Sequence, residues 1–299
     1  YITSGLIIAS GIFAYIQKGG FSLGVDFKGG RSYVVRFDDV KTTDEIREAL
    51  ALPFETEPEV KTYGDVNQKR ITTTYLISDG TEDAEAKVEA KLKEGLTKLG
   101  TNYKIMSSQK VGETVSRDIK EKAIWAILLS CLVMFVFIFI RFKKWQYGFG
   151  AVTALFHDVA LVLSAFIIFD GVLPFSLEIT QDFIAAILTV MSYSMSDTVV
   201  VFDRIREYLT ERNKSDIEGE EKIKVINYAL NSTLSRTINT SLTIFFVLLS
   251  IFIFGGETIR GFAFALLIGI VIGTYSSLCI ATPIVIDLDR KKKTEAKKG

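Results

Sequence analysis

Long apolar runs separated by short polar connections dominate the chain, and they predict membrane-spanning helices. A bilayer core of about 30 Å requires about 20 consecutive apolar residues in a helix. Runs that meet or approach this length predict helices at 1–17, 122–141, 148–169, 179–202, 236–254 and 259–287. The pattern therefore predicts a membrane protein with six transmembrane helices.

The first of these runs, residues 1–17, is the shortest and begins at Tyr1 without an initiator Met. We therefore expect a truncated span, belonging to a fragment or to the later half of a longer polypeptide. The run lacks the cleavage site of a signal peptide, so we interpret it as a span.

Residues 18–121, between the first two spans, alternate polar and apolar positions and predict an extracytoplasmic domain. Strand patterns occur at 31–37, 59–64, 69–78 and 102–112, and amphipathic helix patterns at 42–50 and 81–100. Thr42 and Glu45 have the spacing of a capping box at the start of the first helix. The order β-α-β-β-α-β predicts a ferredoxin-like α+β domain between transmembrane helices 1 and 2.

The stretch "GVDFKGG" at 24–30 joins the first span to this domain. Asp26, Gly29 and Gly30 favour a turn with positive φ or a close backbone approach. Without further context a plain connecting turn is the better interpretation.

The net charge of the chain is uninformative, because 35 Lys and Arg balance 35 Asp and Glu. This balance does not indicate a nucleic-acid partner. The distribution of the charges along the chain is informative. The connection at 141–145 and the tail at 290–299 are rich in Lys and Arg, whereas 170–182 contains none. Because basic connections face the cytoplasm, we predict that both termini and a linker at about 203–235 are cytoplasmic. The remaining five helices form a membrane domain at 122–289.

Four ionisable residues lie inside or at the ends of the predicted spans: His157, Asp158, Asp197 and Arg236. A charged side chain at the bilayer centre costs roughly 2.5–3.5 kcal/mol on insertion scales, so such residues are candidates for function. Asp197 is the strongest candidate. Ser196 and Asn239 are polar neighbours that could support the site.

Each candidate also has a structural interpretation. Asp197 could be a packing carboxylate satisfied by Tyr193 or Thr198, and Arg236 could extend to the cytoplasmic interface. His157 and Asp158 could equally be a buried, hydrogen-bonded pair.

The chemistry that these residue types permit is proton handling. Burial favours the neutral form of a carboxyl group and a nearby guanidinium favours its charged form, so Asp197 could change protonation as Arg236 moves. One His and no clustered carboxylates make a poor metal site, and we predict no metal and no cofactor. Cys131 and Cys279 lie in predicted spans and are interpreted as packing residues.

The last run contains Gly269 and Gly273 in a GxxxG pair. Such faces allow helices to approach closely. The pair predicts tight packing, with another subunit as one possible neighbour.

Five motifs in order resemble the SecF proteins of the SecD/SecF family, within the resistance-nodulation-division superfamily. They are "GVDFKGG", "FHDV" at 156–159, "YSMSDTVVVFDRIRE" at 193–207, "LNSTLSRTINTSLT" at 230–243 and "FGGETIRGFAFALLIGIVIGTYSS" at 254–277. The last motif contains Gly255 and Gly256 directly after Phe254. The similarity covers nearly the whole chain and extends equally to the SecF half of a fused SecDF.

The resemblance implies a subunit of the bacterial inner membrane, not an enzyme, that uses the proton motive force to assist Sec-dependent protein translocation. Implied partners are SecD, the SecYEG channel, the preprotein and protons. Asp197 and Arg236 match the family's proton-pathway residues, whereas a further carboxylate belongs to SecD. This chain departs from the family pattern at Ser192 and at Ser196, which replaces an Asn beside the acid.

Three other functions fit parts of the pattern. Half of a proton-driven small-molecule exporter would need larger external domains. An intramembrane aspartyl protease using Asp158 and Asp197 lacks a recognisable motif. In a structural scaffold for the channel, Asp197 would only pack.

Overall fold

The structure is a computed structural model that describes residues 2–77, 79, 82–211 and 219–296. Within these ranges, five helices are long and apolar enough to cross a membrane, and α1 is a shorter apolar helix of 17 residues. The centre of the predicted 203–235 linker and the last residues of the basic tail lie outside the described residues.

The helices of the membrane part begin and end at different residues from the predicted ones. Their bounds are α1 Ile2–Lys18, α5 Glu113–Phe142, α6 Trp145–Phe169, α7 Gln181–Glu211, α8 Gly219–Phe254, α9 Glu257–Ser276 and α10 Thr282–Ala296. A π-helical turn, Ser277–Ala281, joins α9 to α10. Helix α5 therefore starts within the predicted soluble domain, and the described part of the predicted linker is helical throughout.

The α+β part contains β1 Gly30–Phe37, α3 Thr43–Phe54, β2 Glu59–Tyr63, β3 Asp65–Thr73, α4 Glu82–Thr97 and β4 Tyr103–Val111, preceded by a short helix α2, Val25–Lys28. The strands form one antiparallel sheet in the order β2-β3-β1-β4. The element order is the predicted one. The capping box is also confirmed, since Thr42 and Glu45 bond reciprocally.

The hairpin between β2 and β3 corrects the predicted boundaries. We predicted a turn at 64–68 and a strand to residue 78, but β3 starts at Asp65 and ends at Thr73. Gly64 has φ +77°, so the chain reverses at this single glycine and Tyr63 pairs with Asp65. The polar residues at 65–68, which indicated a turn, instead belong to strand β3, which is partly exposed.

Two separate hydrophobic cores hold the chain together. One lies between the sheet and helices α3 and α4, around Val35, Phe37, Ile46, Leu50 and Leu92. The other fills the helix bundle. The opposite face of the sheet, which carries Lys61 and Arg70, meets the loop before α7, so charged contacts join the two parts.

Candidate functional site

Asp197 lies on α7 and is buried, with only 8 % of its surface exposed. Its Oδ2 atom has no hydrogen-bond partner among the residues that the structure describes. Neither predicted neighbour bonds to it: the Tyr193 hydroxyl bonds Ser241 Oγ at 3.0 Å, and Thr198 Oγ1 donates to the Ser194 carbonyl at 2.9 Å. The carboxyl group is therefore buried without the local partners expected of a packing residue.

Arg236 lies on α8 and is exposed on the surface of this chain. Its guanidinium is close enough to act electrostatically on Asp197, but the described residues include no carboxylate within 4 Å of it. Asn239 follows one helical turn later and is exposed on the same side. Ser196 is exposed as well, so it does not share the buried position of Asp197.

A second polar cluster lies deeper, between α6, α7 and α9. Asp158 is fully buried, and its Oδ2 accepts hydrogen bonds from Ser194 Oγ at 2.6 Å and Ser276 Oγ at 2.8 Å. His157 Nδ1 lies 3.1 Å from Asp158 Oδ1, whereas His157 Nε2 has no partner in the described ranges. The Asp158 carboxylate thus has hydrogen-bond partners, whereas Asp197 Oδ2 has none among the described residues.

The cluster continues toward the π-helical turn after α9. Ser277 Oγ donates to the Ser194 carbonyl at 3.2 Å and lies 2.9 Å from Thr198 Oγ1. A π-helical turn inside an α-helix is frequent at functional sites. Sequence reasoning missed the roles of Ser194 and Ser276. Their only signal was a hydroxyl in an apolar run, and such residues commonly bond their own helix backbone.

Asp26 of the "GVDFKGG" stretch connects the α+β part to the start of α7 through hydrogen bonds. Its Oδ2 accepts from the backbone N–H of Gln181 at 3.0 Å, and its Oδ1 accepts from Gln109 Nε2 of β4 at 3.0 Å. Gly29 and Gly30 have φ values of +73° and +132°, which confirms the predicted turn. A Cβ at Gly30 would lie 2.8 Å from the Thr73 carbonyl oxygen, so glycine is required there.

Glu178 makes the second connection between the two parts. Its buried carboxylate pairs with Arg70 Nη1 at 2.7 Å and Lys61 Nζ at 3.2 Å. Arg70 also stacks on Tyr63, 3.9 Å from the ring centroid. Burial alone would lower the pKa of Lys61, but the carboxylates of Glu178 and Glu59 raise it above its ordinary value. Nothing in the sequence singled out Glu178, because a Glu in a loop is usually exposed.

Gly255 and Gly256 of the last motif form the connection between α8 and α9. The Gly255 N–H donates to the Ile251 carbonyl at 2.7 Å, and Gly256 is the N-cap of α9. A Cβ at Gly255 would lie 2.3 Å from that same carbonyl oxygen. These glycines therefore permit a tight turn on the side of the α+β part, where Thr258 bonds Tyr63.

The fold and this arrangement define a multi-pass membrane protein with ionisable residues inside its helix bundle. Residues 91–291 match the family described as protein export membrane protein SecD/SecF, C-terminal, and residues 18–39 match the SecD/SecF GG motif. The chain belongs to the SecD/SecF family, and the relatives below indicate the SecF branch.

Two curated relatives extend along nearly the whole chain. The protein translocase subunit SecF of Rhodothermus marinus is 44 % identical over 96 % of this chain and 90 % of its own length. The protein translocase subunit SecF of Petrotoga mobilis is 37 % identical over 99 % of this chain and 95 % of its own length.

Two solved structures share the fold. SecDF from Thermus thermophilus is 27 % identical, with a TM-score of 0.79 over 96 % of this chain and 37 % of that chain. SecDF in a super-membrane-facing form is 26 % identical, with a TM-score of 0.65 over 100 % of this chain and 39 % of that chain. This chain thus spans less than half of either SecDF chain.

Proposed function

We propose that the chain is a SecF-type subunit that uses the proton motive force to assist Sec-dependent protein translocation across the bacterial inner membrane. Protonation of Asp197 is the energy-converting step, and movement of the extracytoplasmic domain is the output. In this proposal α1 is the sixth span, the α+β part is the ferredoxin-like domain, and both termini are cytoplasmic.

The observation that carries the proposal is the buried Asp197 carboxyl without a hydrogen-bond partner in the described part of the chain. A buried ionised carboxylate without a partner is costly, whereas the protonated form is tolerated. When protonated it carries no charge, and when ionised it requires the approach of Arg236. The two states therefore favour different positions of α7 and α8.

Helix α7 provides a path from Asp197 to the α+β part. Gln181, at its other end, lies about 24 Å away at about 1.5 Å per residue. This end is bonded to Asp26, and the loop before it carries Glu178. A tilt or shift of α7 would therefore act directly on the sheet through Arg70 and Lys61.

The proposal names SecD, the SecYEG channel, the preprotein and protons as partners. It assigns SecD a carboxylate that completes the proton path, because Arg236 faces outward from this chain. His157 and Asp158 are assigned a supporting role, since their cluster holds α6, α7 and α9 at the level of Ser194.

Export of a Sec substrate into inverted membrane vesicles, with and without a proton motive force, tests the proposal. We expect Asp197→Asn to assemble with SecD and to lose the part of export that depends on the proton motive force. The control is Asp203→Asn on the same helix, which removes a carboxylate that pairs with Arg141 at the helix end. Undiminished force-dependent export by Asp197→Asn would leave only a packing role for Asp197.

A further inference from the structure

A cavity of about 250 Å³ lies at the end of the helix bundle away from the α+β part. Its walls come from the α5–α6 connection, the last turns of α7, the start of α8 and helix α10. Part of the wall is apolar and consists of Phe142, Phe202, Ile226 and Val285. This apolar wall can contact the apolar part of an amphipathic ligand.

The polar part of the lining is predominantly basic. Lys144, Arg206 and Lys222 contribute three cations, whereas Asp289, which pairs with Lys222, contributes one carboxylate. Arg206 also pairs with Asp203 outside the lining. Lys144 has no ion-pair partner within the described residues. Because Lys222 and Arg206 already have carboxylate partners, Lys144 is the lining cation that remains available to an anion.

Two lining side chains carry polar groups without partners. Gln146 is only 3 % exposed, and in the described ranges its side-chain amide has no hydrogen-bond partner. The hydroxyl of Tyr147, which is 9 % exposed, has none there either. Neither group is among the fully buried unpartnered atoms, so both reach the cavity, where a ligand can replace water as their partner.

The backbone at the same place also favours an anion. Helix α6 starts at Trp145, its N-cap Lys144 provides no side-chain cap, and its first turn contains no acidic residue. The first N–H groups of a helix lack partners within the helix and carry a partial positive charge. In α6 these first N–H groups follow Lys144 and include that of Gln146. Both Lys144 and Gln146 line the cavity.

The position of the cavity identifies the source of the anion. Trp145 is 43 % exposed next to Lys143 and Lys144. Exposed Trp and basic residues at a helix end mark the level of the lipid headgroups. The volume is smaller than the roughly 300–1,000 Å³ of sites for drug-sized ligands, which favours a headgroup over a nucleotide.

We propose that this cavity binds the phosphate headgroup of an anionic phospholipid, with the apolar wall contacting the first carbons of its acyl chains. Gln146, Lys144 and the start of α6 contact the phosphate, and Lys222 and Arg206 surround it. Basic pockets between transmembrane helices are suited to such headgroups.

Native mass spectrometry of the delipidated full chain with added lipid tests the assignment. The probes are phosphatidylglycerol and phosphatidylcholine with identical acyl chains. We expect one tightly bound phosphatidylglycerol per chain and no equivalent phosphatidylcholine. Lys144→Gln should weaken binding about fivefold, because one basic side chain near an anionic lipid surface contributes about 1 kcal/mol. Gln146→Leu, which keeps the volume but removes the amide, should weaken binding as well.

Lys143→Gln is the matched control, because Lys143 is the neighbouring exposed lysine and does not line the cavity. Equal weakening by Lys143→Gln and Lys144→Gln would overturn the proposal, since it would indicate general surface attraction. Unchanged binding by Gln146→Leu would also overturn it. Inorganic phosphate and glycerol phosphate are added as competitors. Displacement of the lipid by either at equal concentration would assign the cavity to a soluble phosphate instead.

Discussion

Buried carboxylates in this chain differ in whether they have partners. Asp158 accepts two hydroxyl hydrogen bonds, and Glu178 pairs with two cations. Asp197 Oδ2 has no comparable partner in the part of the chain that the structure describes. The cost of a buried charge depends on its partners, so the partners of Asp158 and Glu178 stabilise one conformation, whereas our proposal assigns the change of protonation to Asp197.

Glu178→Gln tests the connection between the sheet and the helix bundle. It leaves Lys61 and Arg70 without their shared buried carboxylate, and we expect a loss of about 2–3 kcal/mol of stability at this contact. Hydrogen exchange of β2 and β3 should rise in the full chain. The control is Asp65→Asn on β3, whose side chain is 73 % exposed and pairs with Arg36, so its loss should change exchange little. Equal exchange in both variants would contradict the role of Glu178.

The sequence was informative about single residues where one type stood out from its surroundings. Asp197 and Asp158 stood out because they lie in apolar runs, and Gly29 and Gly30 because glycines near an Asp favour a turn. Ser194, Ser276 and Glu178 were not found, because hydroxyls in spans and acids in loops are ordinary. Their roles depend on residues distant along the chain, such as Asp158 and Arg70.

Helices α7 and α9 pack closely against each other at the GxxxG pair. A Cβ at Gly269 would lie 2.1 Å from Val190 Cγ2, and one at Gly273 would lie 3.0 Å from Ser194 Cβ. The GxxxG pair therefore packs within this chain and not against another subunit. This packing places Ser194 Oγ 3.5 Å from Ser276 Oγ, and both hydroxyls bond Asp158 of α6.

Gly269→Ala should destabilise the protein by about 1–3 kcal/mol, because the added methyl overpacks this contact. Thermal unfolding in detergent measures the loss. Adding Val190→Ala should recover part of it, since the two side chains occupy the same space. Gly5→Ala on α1 is the control, because nothing lies within 4 Å of its Cβ position. A simple sum of the two single effects would contradict the proposed contact.

The apolar pattern predicted the centres of the helices correctly, but it did not predict their ends. Helix α5 begins at Glu113 and α8 begins at Gly219, both well before the apolar runs. Charged residues continue a helix into water without changing its backbone, so hydropathy cannot mark the boundary. The predicted β2–β3 turn was wrong for a related reason. The chain reverses at the single glycine Gly64, whereas we predicted a longer loop.

At the scale of the whole molecule, polar side chains inside two spans face outward. Thr189, Ser192 and Ser196 are exposed along one side of α7, and Arg236 and Asn239 along α8. Polar residues in spans rarely face lipid, and small ones allow close helix contact. We therefore expect this face to meet the SecD half.

Ser196→Cys should form a disulfide or a short crosslink to a cysteine on a central SecD helix in membranes. Leu128→Cys is the matched control, because Leu128 is 48 % exposed on the apolar surface of α5. Crosslinking yield on denaturing gels measures the contact. A Leu128→Cys product with SecD, and none for Ser196→Cys, would contradict this arrangement.

Our proposal requires that Asp197 changes its protonation inside the membrane. Infrared difference spectra of the membrane-embedded complex with SecD, recorded between about pH 5 and pH 8, test this because protonated and ionised carboxyl groups absorb differently. We expect a protonated-carboxyl band that disappears in Asp197→Asn and remains in Asp203→Asn. An unchanged band in Asp197→Asn would show that another group carries the proton.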